Sequence, residues 1–538
     1  MRLQKILLLL GGLVWVELLS VAGAAGQSLD IRPLVGLDSH AAAELRLAQL
    51  RDETDTRLWL LRTPSNILLT APGPEDLSIE ALIPDLRTAW NSDLPSSFND
   101  GALWAGRGLN TRLRAGLIVR LKRVSLVVAP ELLTHQNQDF QTIPFGTERD
   151  PTRSRWAHPY HPLPESIDQP LRFGNAPFNR VVPGQSSLTV DLGSLAVGVA
   201  TENAWWGPGI KNGIVLSNQA AGIPRVFLET RRPIVTGAGH FEGSWFLGRL
   251  NESDYFDNNP ANDHRSLSAL AVTFRPNFDP GLTLGVARAV FAPVGDGTDI
   301  LSAGLNFIRS VGRPNSTEEP GASAPDQVTS FFGRWVVQGF EAYWEWARLE
   351  QPESLGDFLE FPQHSQGYTY GLMWAERETQ GAWLSVEAEL TNLEPSSTWR
   401  HRYVYSSYSS RVVPQGYTHE GQTVGASIGT GSSSQWIAID RHDDQWQAGV
   451  FAGRIRWDAA ARFSKVVPSP KREDVSLYWG LRGGIDQKGW HLGIELSQEM
   501  RLNYLFQGFK HDPVTFRAEG VDIANTGLIL TLARNVGP

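Results

Sequence analysis

From about Leu109 to the C-terminus, hydrophobic positions recur at every second residue. In TRLRAGLIVRLK, Leu113, Ala115, Leu117, Val119 and Leu121 alternate with Arg112, Arg114, Gly116, Ile118, Arg120 and Lys122. An extended segment of this kind is greasy on one face and cationic on the other. SLSALAVTFR sets Leu270, Val272 and Phe274 against Ala271, Thr273 and Arg275, and WLSVEAEL sets Leu384, Val386, Ala388 and Leu390 against Ser385, Glu387 and Glu389. HLGIELS repeats the pattern with Leu492, Ile494 and Leu496. Roughly sixteen to eighteen such segments, most about ten residues long, have the length and alternation of transmembrane β-strands. Some links are tight, as at 277–281 and 486–489; others are long, as at 134–185 and 293–325. The pattern predicts an all-β fold, a transmembrane antiparallel barrel of about 16–18 strands over residues 101–538. A soluble sandwich or propeller also alternates. The barrel is favoured because charges recur on one face while Trp335, Trp344, Trp346, Trp374, Trp479 and Trp490 gather near strand ends. The chain finishes LILTLARNVGP rather than on an aromatic residue, yet Leu528, Leu530 and Leu532 still form an outward stripe.

Upstream the period is 3.6. HAAAELRLAQLRDE reads as a helix capped by Asp38 or Ser39. A second helix is expected from Pro74-Glu75-Asp76, with Ile79, Leu82, Ile83, Leu86 and Trp90 on one face and Asp93-Leu94-Pro95 as its end. RLWLLRTPSN between them is a short strand or an extended link. This small N-terminal helical segment, residues 26–100 on the periplasmic side, is too short to stand comfortably alone and is expected to pack against the barrel. Residues 1–25 have the parts of a secretory signal: Arg2 and Lys5, the apolar ILLLLGGLVWV, and a small-residue cleavage site at Ala22-Gly23-Ala24-Ala25.

The chain has no cysteine, which excludes disulfides and thiolate metal sites. A net charge of -9, with no basic run longer than Arg231-Arg232, argues against nucleic acid. No cofactor is indicated. The histidines form no HExxH, and His158 and His161 sit in a Pro-rich loop, so no metal is expected.

ENAWWGPGIKNGIVLSNQ, from Glu202 to Gln219, is the most distinctive stretch. Pro208 fixes φ, and Gly207 and Gly209 permit φ > 0 or close backbone approach. If Trp205 and Trp206 are extended they point to opposite faces, one to lipid and one to the interior. The turn is then either an architectural corner with a girdle tryptophan or a platform on which a sugar ring stacks. Trp205-Trp206-Gly207-Pro208-Gly209, followed by Leu216-Ser217-Asn218 and Pro224, resembles the capsule assembly Wzi family, and the layout of signal, helical segment and long barrel matches throughout the mature chain. That resemblance implies an eighteen-strand outer-membrane barrel with a periplasmic helical bundle. It also implies a lectin that tethers capsular or related exopolysaccharide at the cell surface.

Two other functions compete. A diffusion channel would be lined by Arg112, Arg114, Arg120 and Arg482 facing Glu341, Glu345, Glu387, Glu389 and Glu495. Residues 41–91 and 298–312 look like material to plug its two ends, and a plugged barrel favours binding. A glycoside hydrolase would need two carboxylates at set spacing, which Glu341/Glu345 and Glu387/Glu389 offer, but such pairs are ordinary in a polar lumen and no catalytic residue is assigned. Glycan contacts are expected from long outer loops: Trp156, His158, Tyr160 and His161; Tyr255 and Asp257; Tyr403, Tyr405 and Tyr408. Expected partners are surface polysaccharide and outer-membrane lipid, with the protein a monomer.

Overall fold

The computed structural model describes residues 30–33, 36–37, 40–53, 59–68, 77–143, 152–161, 165–294, 303–306, 325–350, 354–379, 381–463, 467–468, 472–511 and 518–534. The signal segment, both helix caps at Asp38 and Ser39, and Pro74-Glu75-Asp76 lie outside them. Among the described residues, eighteen antiparallel strands close one barrel. In chain order they begin with β1 (Ser78–Asn91), β2 (Gly108–Leu121), β3 (Val124–Val128 and Glu131–His135), β4 (Phe178–Val182 and Ser187–Asp191), β5 (Leu195–Ala200) and β6 (Arg225–Thr230 and Ile234–Val235). Next come β7 (Gly239–Asn251), β8 (His264–Pro276), β9 (Leu282–Pro293), β10 (Asp326–Val337), β11 (Phe340–Arg348) and β12 (Gln366–Thr379). The last six are β13 (Ala382–Asn392), β14 (Ser433–His442), β15 (Trp446–Arg456), β16 (Val475–Gln487), β17 (Trp490–Leu502) and β18 (Ile523–Arg534). Closure is made by β18 on β1, from Gly527 opposite Asn91 to Leu532 opposite Leu86.

The period-2 pattern sorts the side chains as expected. Leu481, Leu492, Ile494 and Leu496 are about half exposed on the outer face, with Trp335, Trp344, Trp374, Trp479 and Trp490 exposed around it. Arg112, Arg114, Glu341 and Glu389 are buried inside. An exposed apolar belt on a closed barrel suits hydrocarbon, where every backbone group must be paired within the wall. Turns at 122–123, 338–339 and 488–489 mark one rim, and the long loops 136–177, 201–224 and 393–432 rise from the other.

Residues 78–91 are a strand, not the expected helix, so the barrel begins at Ser78 and the helical segment contracts to α1 (His40–Leu50) and α2 (Pro64–Leu68). The register between β1 and β2 slips between Leu82 and Asp85, where Pro84 has no N–H to give the ladder. The extra residue of this bulge offsets the alternation, so Ile79, Leu82, Ile83, Leu86 and Trp90 imitate a 3.6 period. Leu82 packs inward on Ile118, Val127 and Ala129, while Ile79 and Trp90 are exposed. Leu61-Arg62, in the stretch that read as a strand or a link, is a short strand.

The lumen is less polar than the alternation suggested. Inward Phe246, Leu267, Ala269, Ala271, Ala287, Ala289, Phe291 and Phe332 join one buried cluster with Trp59, Trp206, Ile214, Val215, Tyr408 and Tyr417. Small alanines on facing strands leave room for inserted chain. Arg112 and Arg114 do not face the lumen glutamates across a channel: both pair with Asp85, at 3.4 and 2.6 Å, and Arg114 also with Glu131 at 3.4 Å. Arg482 bonds Asp440 at 2.7 Å and Glu387 at 3.3 Å. Of the stretch 298–312, the described residues 303–306 lie outside the wall rather than plugging it: the Gly304 carbonyl accepts from Trp245 Nε1 (3.1 Å) and Ser268 Oγ (2.8 Å).

Candidate functional site

The Trp-Trp-Gly-Pro-Gly loop supplies the stopper. Trp205 and Trp206 do not split between lipid and lumen. They pair antiparallel with Arg62 and Leu61 inside the barrel, at 4% and 1% exposure. The Arg62 guanidinium lies 5.2 Å from the Trp205 ring, and the Trp206 ring meets inward Phe246 at 5.3 Å. Neither indole is available as a sugar platform. Gly207 has φ +95, and a Cβ there would sit 3.2 Å from Glu345 Oε2. Conformation therefore calls for glycine, and a side chain there would also crowd the Glu345 carboxylate. The Pro208 carbonyl accepts from Arg46 Nη2 on α1 at 2.8 Å.

Beyond this bend the backbone turns its amides onto wall carboxylates. Glu389 accepts from the N–H groups of Ile210, Lys211 (3.1 Å) and Asn212 (2.9 Å), and Tyr343 donates to it at 2.8 Å. Glu345 accepts the Ile214 N–H at 3.1 Å. Glu341 is held by Arg46 and by Arg334 at 2.8 Å. Consecutive N–H groups around one carboxylate satisfy acceptor oxygens that are buried away from water. Asn218 ties the loop to 92–107, donating to the Asn99 carbonyl at 2.6 Å while its own carbonyl accepts the Gly101 N–H at 2.7 Å. From above, Tyr408 and Tyr417 of loop 393–432 donate to the Ile214 and Val215 carbonyls, each at 2.9 Å.

Over this stopper, at the long-loop rim, lies a cavity of about 190 Å³. Its wall includes Phe98, Trp104, Phe140, Tyr160, Phe173 and Trp457, with Gln219, Gln422, Asp474, Glu499 and Arg501 among them. Phe98 and Trp457 stack at 6.2 Å and are only partly buried. Arg501 grips Asp474 bidentately, both contacts 2.8 Å, and its guanidinium lies 4.8 Å from the Trp457 ring. The volume falls below the roughly 300–1,000 Å³ typical of drug-sized ligands, room for a single ring. Aromatic faces beside bidentate polar groups suit a sugar, whose C–H face is apolar and whose rim is hydroxylated.

The sequence-predicted loop residues divide. Tyr160 lines the cavity, but its hydroxyl is spent on the Leu505 carbonyl. Burial also raises its pKa above the usual phenol value. His158 and His161 stand together beside Asp458. Burial, then the neighbouring His161, lowers the pKa of His158 to about 3. His161 also suffers burial but is bonded to Asp458 at 2.8 Å, and its pKa is raised. Trp156 is half-buried under Arg155 and Arg172, and Tyr255 packs edge-on against Phe173. Tyr403 is exposed and donates to Glu165; Tyr405 packs edge-on to it. Tyr408, a candidate glycan contact, is buried to 3% as a strut of the stopper. Asp257 bridges through its backbone to Arg153 of the neighbouring loop, and its carboxylate accepts the Asn259 N–H at 2.7 Å. Phe98, Trp104, Gln219, Gln422, Trp457 and Arg501 were not singled out from the sequence. They come from separate stretches, and no local spacing unites them.

No curated protein matches the chain. Among solved structures, the chain is similar to the Escherichia coli outer-membrane protein Wzi, described as a carbohydrate-binding β-barrel involved in group 1 capsule assembly. TM-score is 0.54 and identity 11%, over 93% of this chain and 90% of that one. Pseudomonas aeruginosa OccK9 (TM-score 0.40, 9% identity, 86% and 100% covered) and Acinetobacter baumannii OccAB2 (0.38, 6%, 87% and 100%) are more distant. The sequence profile described as "Capsule assembly protein Wzi" matches residues 93–441, and the chain is a member of that family of outer-membrane barrels.

Proposed function

We propose that this protein binds capsular or related surface polysaccharide at the outer face of the outer membrane and tethers it to the cell. The observation that carries this reading is the aromatic and polar cavity above a filled lumen. A barrel stoppered by a bonded loop, with a ring-sized recess at its outer mouth, is built to hold rather than to conduct. The same stopper counts against a diffusion channel. The lumen carboxylates lend hydrolysis no support: Glu341 is held by two arginines, Glu345 accepts one loop amide and Glu389 three. We read the chain as a non-catalytic monomer seated in outer-membrane lipid, exported after cleavage near residue 25; mass in detergent and the N-terminal sequence of the mature protein check these points.

The test is retention of the producing cell's purified polysaccharide on the purified full chain. Wild type is expected to retain the polymer, and Phe98→Ala and Trp457→Ala each to weaken binding about three- to tenfold, as loss of one aromatic contact does. Full retention by the double variant would move the site elsewhere.

A further inference from the structure

We propose that His158, His161 and Asp458 form a binding site for one Zn²⁺ ion at the outer mouth, joining loop 136–177 to the turn that follows β15. The three donor atoms lie within 4.8 Å of one another. His161 Nε2 is 2.8 Å and His158 Nε2 3.9 Å from Asp458 Oδ2. A tetrahedral ion with bonds of about 2.0–2.2 Å needs donors roughly 3.3 Å apart, so the present spacings bracket what zinc requires.

The local chain explains why the donors converge. Residues 158–161 form a turn in which the His161 N–H points to the His158 carbonyl at 3.4 Å, setting the two imidazoles 4.8 Å apart on one side. Asp458 is fixed independently. Its N–H donates to Ser432 Oγ at 3.0 Å, and its Oδ1 accepts the Ala461 N–H at 3.3 Å, which leaves Oδ2 turned to the histidines. Two imidazoles and one carboxylate are a borderline donor set that suits zinc and excludes the all-oxygen preference of Ca²⁺ or Mg²⁺. His158 and Asp458 also line the cavity, so a fourth position would open into it, as in zinc sites that keep an exchangeable ligand. Coordination through His158 Nε2 places the ring proton on Nδ1 and gives up the long 3.4 Å contact from the Tyr160 N–H, a small loss beside a metal bond. The sequence alone offered only the two histidines; the third donor is 297 residues beyond His161 and is brought in by the fold.

Titration of the EDTA-stripped, detergent-purified full chain with ZnCl₂ tests the site. Calorimetry is expected to show one saturable ion per chain. Asp458→Asn and His158→Gln should each weaken binding at least tenfold, while His401→Ala, an exposed histidine elsewhere, should leave it unchanged. CoCl₂ added to the stripped wild type should give the visible absorption of a bound tetrahedral Co²⁺ ion, displaced by zinc, a readout that does not depend on any variant folding. Absence of saturable binding, equal binding by all variants, or no such absorption would overturn the site and leave His161–Asp458 as an ion pair only.

Discussion

At the scale of single residues, the structure assigns two positions duties that can be measured. Gly207 combines φ +95 with a wall carboxylate 3.2 Å from where a Cβ would stand. Gly207→Ala is expected to destabilise the protein by about 1–3 kcal/mol, read from the urea midpoint of the refoldable barrel. Asp168, in an outer loop, is fully buried and accepts from the Ser253 N–H (2.7 Å) and Oγ (2.6 Å). Burial outweighs those bonds and Arg265, and pushes its carboxyl up to about 6. Between about pH 4 and 6 the folded state therefore holds a proton that the unfolded chain has released. Stability from this group falls as pH rises through that window and is flat above it, by on the order of 3 kcal/mol or less. Asp168→Asn should flatten that slope in unfolding measured from pH 4 to 7; an unchanged slope would assign it to another group. The sequence showed that the glycine bend was special and supplied its conformational reason. It could not show Glu345 behind it, because that contact spans the barrel.

At the scale of elements, alternation made the strands legible and irregularity hid the rest. Most of the wall follows from period 2, since each inward and outward choice repeats along a strand. Residues 78–91 escaped because the Pro84 bulge offsets that period, and two residues on the wrong side are enough to mimic a helix. IVLSN, residues 214–218, is apolar because the lumen is apolar there, and only Leu216 of it bridges, to Trp206. The stopper makes its own prediction. Glu389→Gln replaces an acceptor of three loop amides with a group that carries its own donors, so loop 201–224 should loosen. Planar-bilayer recordings are expected to show little conductance for wild type and frequent openings for Glu389→Gln. Equal, silent traces would mean the loop is held mainly by its apolar packing.

At the scale of the whole molecule, one architecture reconciles the apolar outside, the filled inside and the furnished mouth. The belt of leucine and tryptophan suits a lipid surround; loop 201–224, the N-terminal segment at 59–68 and loop 393–432 fill the lumen; separate loop stretches then meet as a recess at the long-loop rim. Family membership was readable from the turn motif and the layout. The recess was not, since its residues are distant in sequence and several predicted aromatics serve packing instead. The most direct measurement is the partition of surface polysaccharide between cell-bound and shed fractions when the gene is deleted and then restored. Unchanged total polymer that moves to the medium on deletion, and returns to the cells with wild type but not with the Phe98→Ala/Trp457→Ala double variant, is the predicted result. An unchanged partition, with intact polymer still on the deleted cells, would contradict the tethering account.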